Sequence, residues 1–183
     1  MTDKKNFRGV EHIGITVPAY ENAVAFFEKV FGAEVLYSLV TKSGDPLTAE
    51  EIGSKNGLLK GTAIVAVSML RFHNGPNLEI FEIDRPRGEG KASISDLGIS
   101  HFSVTVEDVE QAARDFAAAG GQMLEGPYDL GGQEEGPGNR GVFGLTPWGL
   151  LIEFEQLPAP MHYDGSPDAK RWLPEPLHSK EEA

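Results

Sequence analysis

Between Val10 and Val17 the chain alternates: Ile13, Ile15 and Val17 point one way, and His12, Gly14 and Thr16 the other. From Ile99 to Val106 the same alternation returns, with Phe102, Val104 and Val106 opposite His101, Ser103 and Thr105. A period of two marks a strand buried on at least one face. Each of these strands runs into a segment of helical period. Val109, Ala112, Ala113, Phe116 and Ala117 form one apolar stripe, and Ala23, Phe27, Val30 and Phe31 form another over about Glu21 to Phe31. Asp108 with Gln111 resembles a capping box, and Gly32 and Gly120–Gly121 supply the stops. After each helix only strand-like runs follow. They are "EVLYSLV", "TAIVAVSMLRF" and "NLEIFEI", then "GQMLE", "GVFGLT" and "GLLIEFEQL", with turn signals in "HNGPN" and "TPWG".

The two patterns are one pattern written twice. Aligning His12 with His101 also matches Gly9 to Gly98, Thr16 to Thr105, Val17 to Val106, Glu21 to Glu110, Ala23 to Ala112 and Phe27 to Phe116. Agreement in register across an identical strand-then-helix pattern marks an internal duplication. Each copy reads β-α-β-β-β, so the fold class is α+β with two βαβββ modules. One helix covers one sheet face. The other face carries His12 and His101 among small or polar neighbours, notably Thr16 and Ser103, and is where a pocket is expected.

The closing strands add acids among apolar residues: Glu79 in "NLEIFEI" and Glu153 in "LLIEFEQ". Alternation turns their apolar flankers, Leu78 and Ile80 or Ile152 and Phe154, to the opposite face. A carboxylate on a half-buried strand is costly unless paired, hydrogen-bonded or bound to a cation. One histidine and one glutamate per module give an N2O2 donor set if a pseudo-twofold relates the modules. That set suits a divalent ion such as Zn, Ni, Co, Mn or Fe(II). Glu82 has the opposite parity and is expected to face away. Glu155 shares the parity of Glu153 but sits nearer the strand end. His73, His162 and His178 lack such partners and read as surface or loop residues, with His73 the nearest to an exception.

The motifs "HIGITV", "FFEKVFGAEV", "NLEIFE", "HFSVTVEDVEQA" and "PWGLLIEFE" carry a resemblance to the vicinal oxygen chelate superfamily. Its members include glyoxalase I, methylmalonyl-CoA epimerase, the fosfomycin- and bleomycin-resistance proteins and the extradiol dioxygenases. The resemblance covers residues 9–156. It implies paired βαβββ modules forming a curved mixed sheet around a metal, with His12, Glu79, His101 and Glu153 at the ligand positions, and a homodimer. The ligand set is like that of nickel-type glyoxalase I. Where glyoxalase I has an arginine four residues after its first ligand, this chain has Thr16. "HIGITV" reads closer to the epimerase branch.

The implied chemistry is that of a lyase or isomerase acting on a small molecule with adjacent oxygens. A divalent ion stabilises an enediolate or enolate, and Glu153 first, Glu79 second, serves as base. An Fe(II) extradiol-type dioxygenase and a metal-free binding or resistance protein are the alternatives. Glu79 as a fourth ligand occupies room that a dioxygenase keeps open.

Module one spans 9–84 and module two 98–156, with an N-terminal extension 1–8 and a Pro-rich tail 157–183. Glu79 follows His12 by about fifteen residues more than Glu153 follows His101, mostly within 41–61. That insert is either a lid over the site or a surface loop. The glycine-rich segment "EGPYDLGGQEEGPGNRGVFG" reads as a long loop in which Arg140 can pair with a carboxylate or phosphate. Phe143, Trp148 and Phe154 read as core or pocket wall. In the tail, Met161, Tyr163, Trp172 and Leu173 are expected to pack in part across the body or a neighbouring subunit.

Composition narrows the partners. The formal net charge is −12 over 183 residues, which opposes binding nucleic acid or anionic membrane through a basic surface. There is no run of eighteen apolar residues, and the start "MTDKKNFRG" lacks a secretory h-region. With no cysteine, thiolate metal sites and disulfides are excluded. The expected compartment is the cytoplasm and the expected partner a small-molecule substrate.

Overall fold

The computed structural model describes residues 10–86, 93–95, 99–161 and 171–176. The extension 1–8, Gly9, Gly98, His162, Tyr163 and His178 lie outside them. The chain divides into two compact units, with the boundary after residue 88.

In the first unit β1 (His12–Thr16) leads into α1 (Tyr20–Phe31), followed by β2 (Glu34–Val40), β3 (Leu47–Thr48), α2 (Ala49–Asn56), β4 (Ala63–Arg71) and β5 (Asn77–Ile83). The sheet order is β1-β5-β4-β2, with β3 added beside β4. In the second unit β6 (His101–Thr105) leads into α3 (Val109–Ala118), β7 (Gln122–Met123), β8 (Tyr128–Asp129), β9 (Arg140–Leu145) and β10 (Leu151–Gln156). Its order is β6-β10-β9-β7, with β8 beside β9. The opening and closing strands pair parallel in both units. The βαβββ duplication is thus the architecture, with a short extra strand in each copy and an extra helix in the first.

Alternation sorts each sheet into two faces. In the first unit Leu78, Ile80 and Glu82 share the helix side, and Leu78 and Ile80 are buried. Glu82 Oε2 accepts the N–H of Tyr20 at the start of α1, at 2.6 Å. This contact substitutes for a side-chain cap, which Ala19 does not provide. The second unit repeats the device: Gln156 Oε1 accepts the N–H of Val109 at 3.0 Å, and Asp108 caps the same helix through Gln111 N. Under the helices lie aromatic cores. Phe26, Phe27 and Phe31 sit in edge and stacked contact, and Phe116 meets Phe154 at 5.1 Å. Helix α1 ends on Gly32 at φ 62, whose N–H returns to Glu28 O, the left-handed turn a Cβ would strain.

The 41–61 insert is neither bare loop nor independent domain. Thr48 and Glu51 form a reciprocal capping box that starts α2. Ile52 and Leu58 then pack with Phe81 and Ile83 against the buried cluster Val40, Ile64 and Val67. Phe81 and Ile83 share the parity of Glu79, so α2 covers part of the face opposite α1. The segment read as a long loop in the second unit contains β8 and a 3-10 turn at Gly132–Glu134, and its end belongs to β9.

Truncating Phe116, fully buried against Phe154, is expected to cost about 3–5 kcal/mol. Urea unfolding of Phe116→Ala measures this; a loss below about 1 kcal/mol would place the core elsewhere.

Candidate metal centre

Parallel register brings each histidine next to the glutamate of its own module. Gly14 is the partner of Glu79, and Ser103 that of Glu153. His12 Nε2 lies 3.6 Å from Glu79 Oε2, and His101 Nε2 lies 3.6 Å from Glu153 Oε2. Identical separations arise because the same two strands, in the same register, carry the same residue types.

That separation is too long for a direct hydrogen bond. It matches the spacing of two ligands on one ion, since donors about 2.1 Å from a divalent cation stand about 3.0–3.6 Å apart. The other ring nitrogens are already engaged. His12 Nδ1 is 2.6 Å from Glu11 Oε2, and Asn77 Nδ2 donates to the other Glu11 oxygen at 2.6 Å. These contacts hold the Glu11 carboxyl below its usual range, the His12 hydrogen bond being the larger cause. His101 Nδ1 meets Ser100 Oγ at 3.0 Å. The Glu11 carboxylate only accepts, so His12 Nδ1 donates to it and the Nε2 lone pair is left to ligate, while the Ser100 hydroxyl, which can donate or accept, fixes the orientation of the His101 ring. Each unit supplies two donors; among the described residues, no group of three or more His, Asp or Glu side chains is placed to hold a metal ion.

The second pair sits in a denser polar setting. Glu153 is pushed up to about 7, chiefly by burial and then by the charges of Glu155 and Glu134, with Arg171 and Ser103 pulling the other way. Ser103 Oγ donates to Glu155 Oε2 at 2.7 Å. Phe143, the cross-strand partner of Glu153, meets the His101 ring edge-on at 5.2 Å and so is wall to this site. Phe154 belongs to the core behind it.

The remaining sequence candidates divide. Thr16 and Ser103 lie on the faces of His12 and His101. Arg140 does not join them: it shares the parity of Val142 and faces α3, where Nη1 donates to Glu110 at 2.8 Å and Nη2 to the Pro127 carbonyl. His73 occupies an exposed turn at φ 48, against Gly32. Glu82 faces away from Glu79, as its parity requires. Residues that sequence pattern passes over are Glu11 and Ser100, which occupy matching positions just before each histidine, and Arg171 in the tail. Trp172 stays 63% exposed; Arg171, not Trp172, ties this part of the tail to the unit.

Comparison with known proteins bears on the whole arrangement. The family model described as Glyoxalase/Bleomycin resistance protein/Dioxygenase superfamily matches residues 9–154. The chain belongs to this superfamily. A relative from Actinomyces sp., a 2-epi-5-epi-valiolone epimerase, is 32% identical over 170 residues, covering 91% of this chain and 88% of the relative. Among solved structures of the superfamily's fold, a glyoxalase family protein from Bacillus cereus aligns at TM-score 0.62 and 19% identity, over 85% of this chain and 97% of that one. A mutant of the fosfomycin resistance protein FosX from Listeria monocytogenes, complexed with Mn(II) and 1S,2S-dihydroxypropylphosphonic acid, aligns at TM-score 0.51 and 19% identity, over 81% of this chain and 90% of that one. No helix among the described residues of this superfamily member is long and apolar enough to cross a membrane.

The raised Glu153 has a consequence for the metal-free protein. Between its ordinary value near 4.5 and about 7, the native state holds a proton that the unfolded chain has released. Its contribution to stability is therefore complete below pH 4.5 and is lost as pH rises through 7. Metal-free Glu153→Gln is expected to show a smaller fall in Tm than the parent between about pH 5 and 8. Parallel Tm profiles would refute the assignment.

Proposed function

We propose that this protein is a divalent-metal-dependent epimerase of a polyhydroxylated ketone, inverting a carbon next to the carbonyl. The observation that carries the reading is the repeated imidazole–carboxylate pair at 3.6 Å in both units. In this reading each module offers one imidazole–carboxylate pair to a cation, His12 with Glu79 and His101 with Glu153. When bound, the cation supplies Lewis-acid stabilisation of the enediolate oxygens. The epimerase relative supports stereochemical inversion on a valiolone as the reaction type, and the FosX complex supports Mn(II) in this fold.

The residues then take definite roles. A base that removes the proton α to a ketone works best with an affinity near the working pH. Glu153 is proposed for this role, Glu79 second; burial and neighbouring carboxylates raise Glu153 to about 7 in the cation-free protein, so its proton is readily exchanged when it is not held by a cation. Epimerisation needs the proton returned to the opposite side of the planar enediolate, and Glu79 is the second carboxylate proposed for acid–base work. No net redox change occurs: one C–H bond breaks, one forms, and the electron pair rests on the oxygens in between. Glu11 holds the His12 imidazole in the ligating tautomer, and Ser100 orients the His101 ring. Phe143 packs edge-on against the His101 ring.

Metal analysis followed by α-proton exchange in deuterated water tests this. Protein purified without a tag is expected to retain a divalent ion and to exchange the α-proton of 2-epi-5-epi-valiolone, with chelator abolishing exchange and added Mn(II) or Ni(II) restoring it. Glu153→Gln is expected to lower exchange by about 10²–10⁴. Exchange at the parental rate in this variant, or turnover that consumes oxygen, would overturn the reading.

A second outcome concerns the cation alone. Glu11→Ala is expected to weaken Mn(II) affinity by about ten- to a hundredfold through loss of the imidazole's orienting partner, read by titration calorimetry. Unchanged affinity would remove Glu11 from the site.

A further inference from the structure

The two units agree at the histidine and the glutamate and part company one pleat further along. The offset that carries His12 onto His101 carries Gly14 onto Ser103, and the offset that carries Glu79 onto Glu153 carries Phe81 onto Glu155. In the first unit the pair is apolar: a Cβ on Gly14 would stand 3.4 Å from the Phe81 ring. In the second it is ionic. Glu155 is only 3% exposed, and its Oε2 accepts both from Ser103 Oγ at 2.7 Å and from Arg171 Nη2. Arg171 Nη1 also donates to Glu134 at 2.6 Å.

Arg171 comes from the tail, and its seat is built. Asn139, fully buried, donates to the carbonyls of Glu134 and Ala159 and accepts the Ala159 N–H. This clasp ties the start of the tail to the turn that presents Glu134. A buried carboxylate, a hydroxyl and a guanidinium are an expensive arrangement on a strand where the sister unit manages with a glycine and a ring. The cost implies a use. Ser103 is exposed, and about a third of the Arg171 side chain is open to solvent.

We propose that Ser103, Glu155 and Arg171 form a hydroxyl-recognition subsite beside Glu153, reading hydroxyl groups of a polyhydroxylated ring ketone. The proposal rests on the function argued above for the same site. Buried Glu155 holds the other two in place; the Ser103 hydroxyl, donating to Glu155, is left to accept from a ring hydroxyl, and the guanidinium donates to its neighbour, so together they satisfy a vicinal diol. Two residues along the strand from Glu153 is ~7 Å, a reach that a six-membered ring and one hydrogen bond cover. Arg171 is here a specificity residue and takes no part in proton transfer.

The test compares two ketones that share the reacting centre and differ in ring hydroxyls: 2-hydroxycyclohexanone and 2,3,4,5,6-pentahydroxycyclohexanone. With metal-loaded protein, Arg171→Met is expected to lower kcat/KM for proton exchange on the pentahydroxy ketone by about ten- to a hundredfold, mainly through KM. The loss on 2-hydroxycyclohexanone should be several times smaller, and Arg171→Lys should recover part of the difference. Equal losses on both ketones, or none on either, would overturn the subsite and leave Arg171 a structural partner of Glu155. Thermal unfolding of each variant checks the fold. If the parent exchanges neither ketone, the function fails by itself, and calorimetric binding of the pentahydroxy ketone decides the subsite: weaker binding to Arg171→Met supports it, and equal or absent binding to the parent sinks it.

Discussion

In a parallel strand pair, residues in register share a face, and that single constraint places the chemistry of each unit. The register Gly14–Glu79 leaves His12 one pleat from the carboxylate, and Ser103–Glu153 leaves His101 in the same relation. The residues facing the glutamates across the register are a glycine, with the Phe81 ring beside it, and a serine turned to Glu155. A shift of one residue would turn each glutamate into the aromatic layer beneath the helix, where Phe27 or Phe116 already fills the volume. The apolar packing of one face therefore secures the polar pair on the other.

The orientation of the pair is secured independently. Both histidines are preceded by a residue with a side-chain oxygen, and in both units that oxygen reaches Nδ1. Glu11 is steadied in turn by Asn77, the first residue of the closing strand. Orientation and separation thus come from different contacts, which is how a site is held before its ligand arrives.

Period and repetition explain what was legible in the sequence. The strand–helix order and the four His and Glu positions follow from alternation, because period two fixes faces. The start of α2 was also written plainly, as Thr48 and Glu51 at capping-box spacing, but an insert without a repeat partner invites the label of loop. Arg140 shows the opposite hazard. Its setting among glycines reads as a long loop that offers Arg140 to an anionic group, whereas it opens β9 and its parity with Val142 sends it to the helix side, onto Glu110. Arg171 lies in a proline-rich tail with no period at all, so no pattern links it to Glu155; only tertiary structure does. The raised proton affinity of Glu153 was equally hidden, since it depends first on burial and then on Glu155 from the same strand and Glu134 from the 3-10 turn.

A duplicated module starts with two identical faces, and divergence then shows what each face is asked to do. The donors at 3.6 Å persist in both copies. Beyond Glu79, one copy adds Phe81 and roofs it with Ile52 and Leu58 from the inserted helix and the turn after it. Beyond Glu153, the other adds Glu155, Ser103 and an arginine brought back by the tail. What both copies keep is the register and the pair it produces. What each has changed lies one pleat further along, where the same strand positions carry a ring in one unit and a buried ion pair in the other. Packing explains the retained part, because a slip would put each glutamate into the core. It does not require the ion pair, which is why the differences between the copies say more about their separate roles than the likeness does.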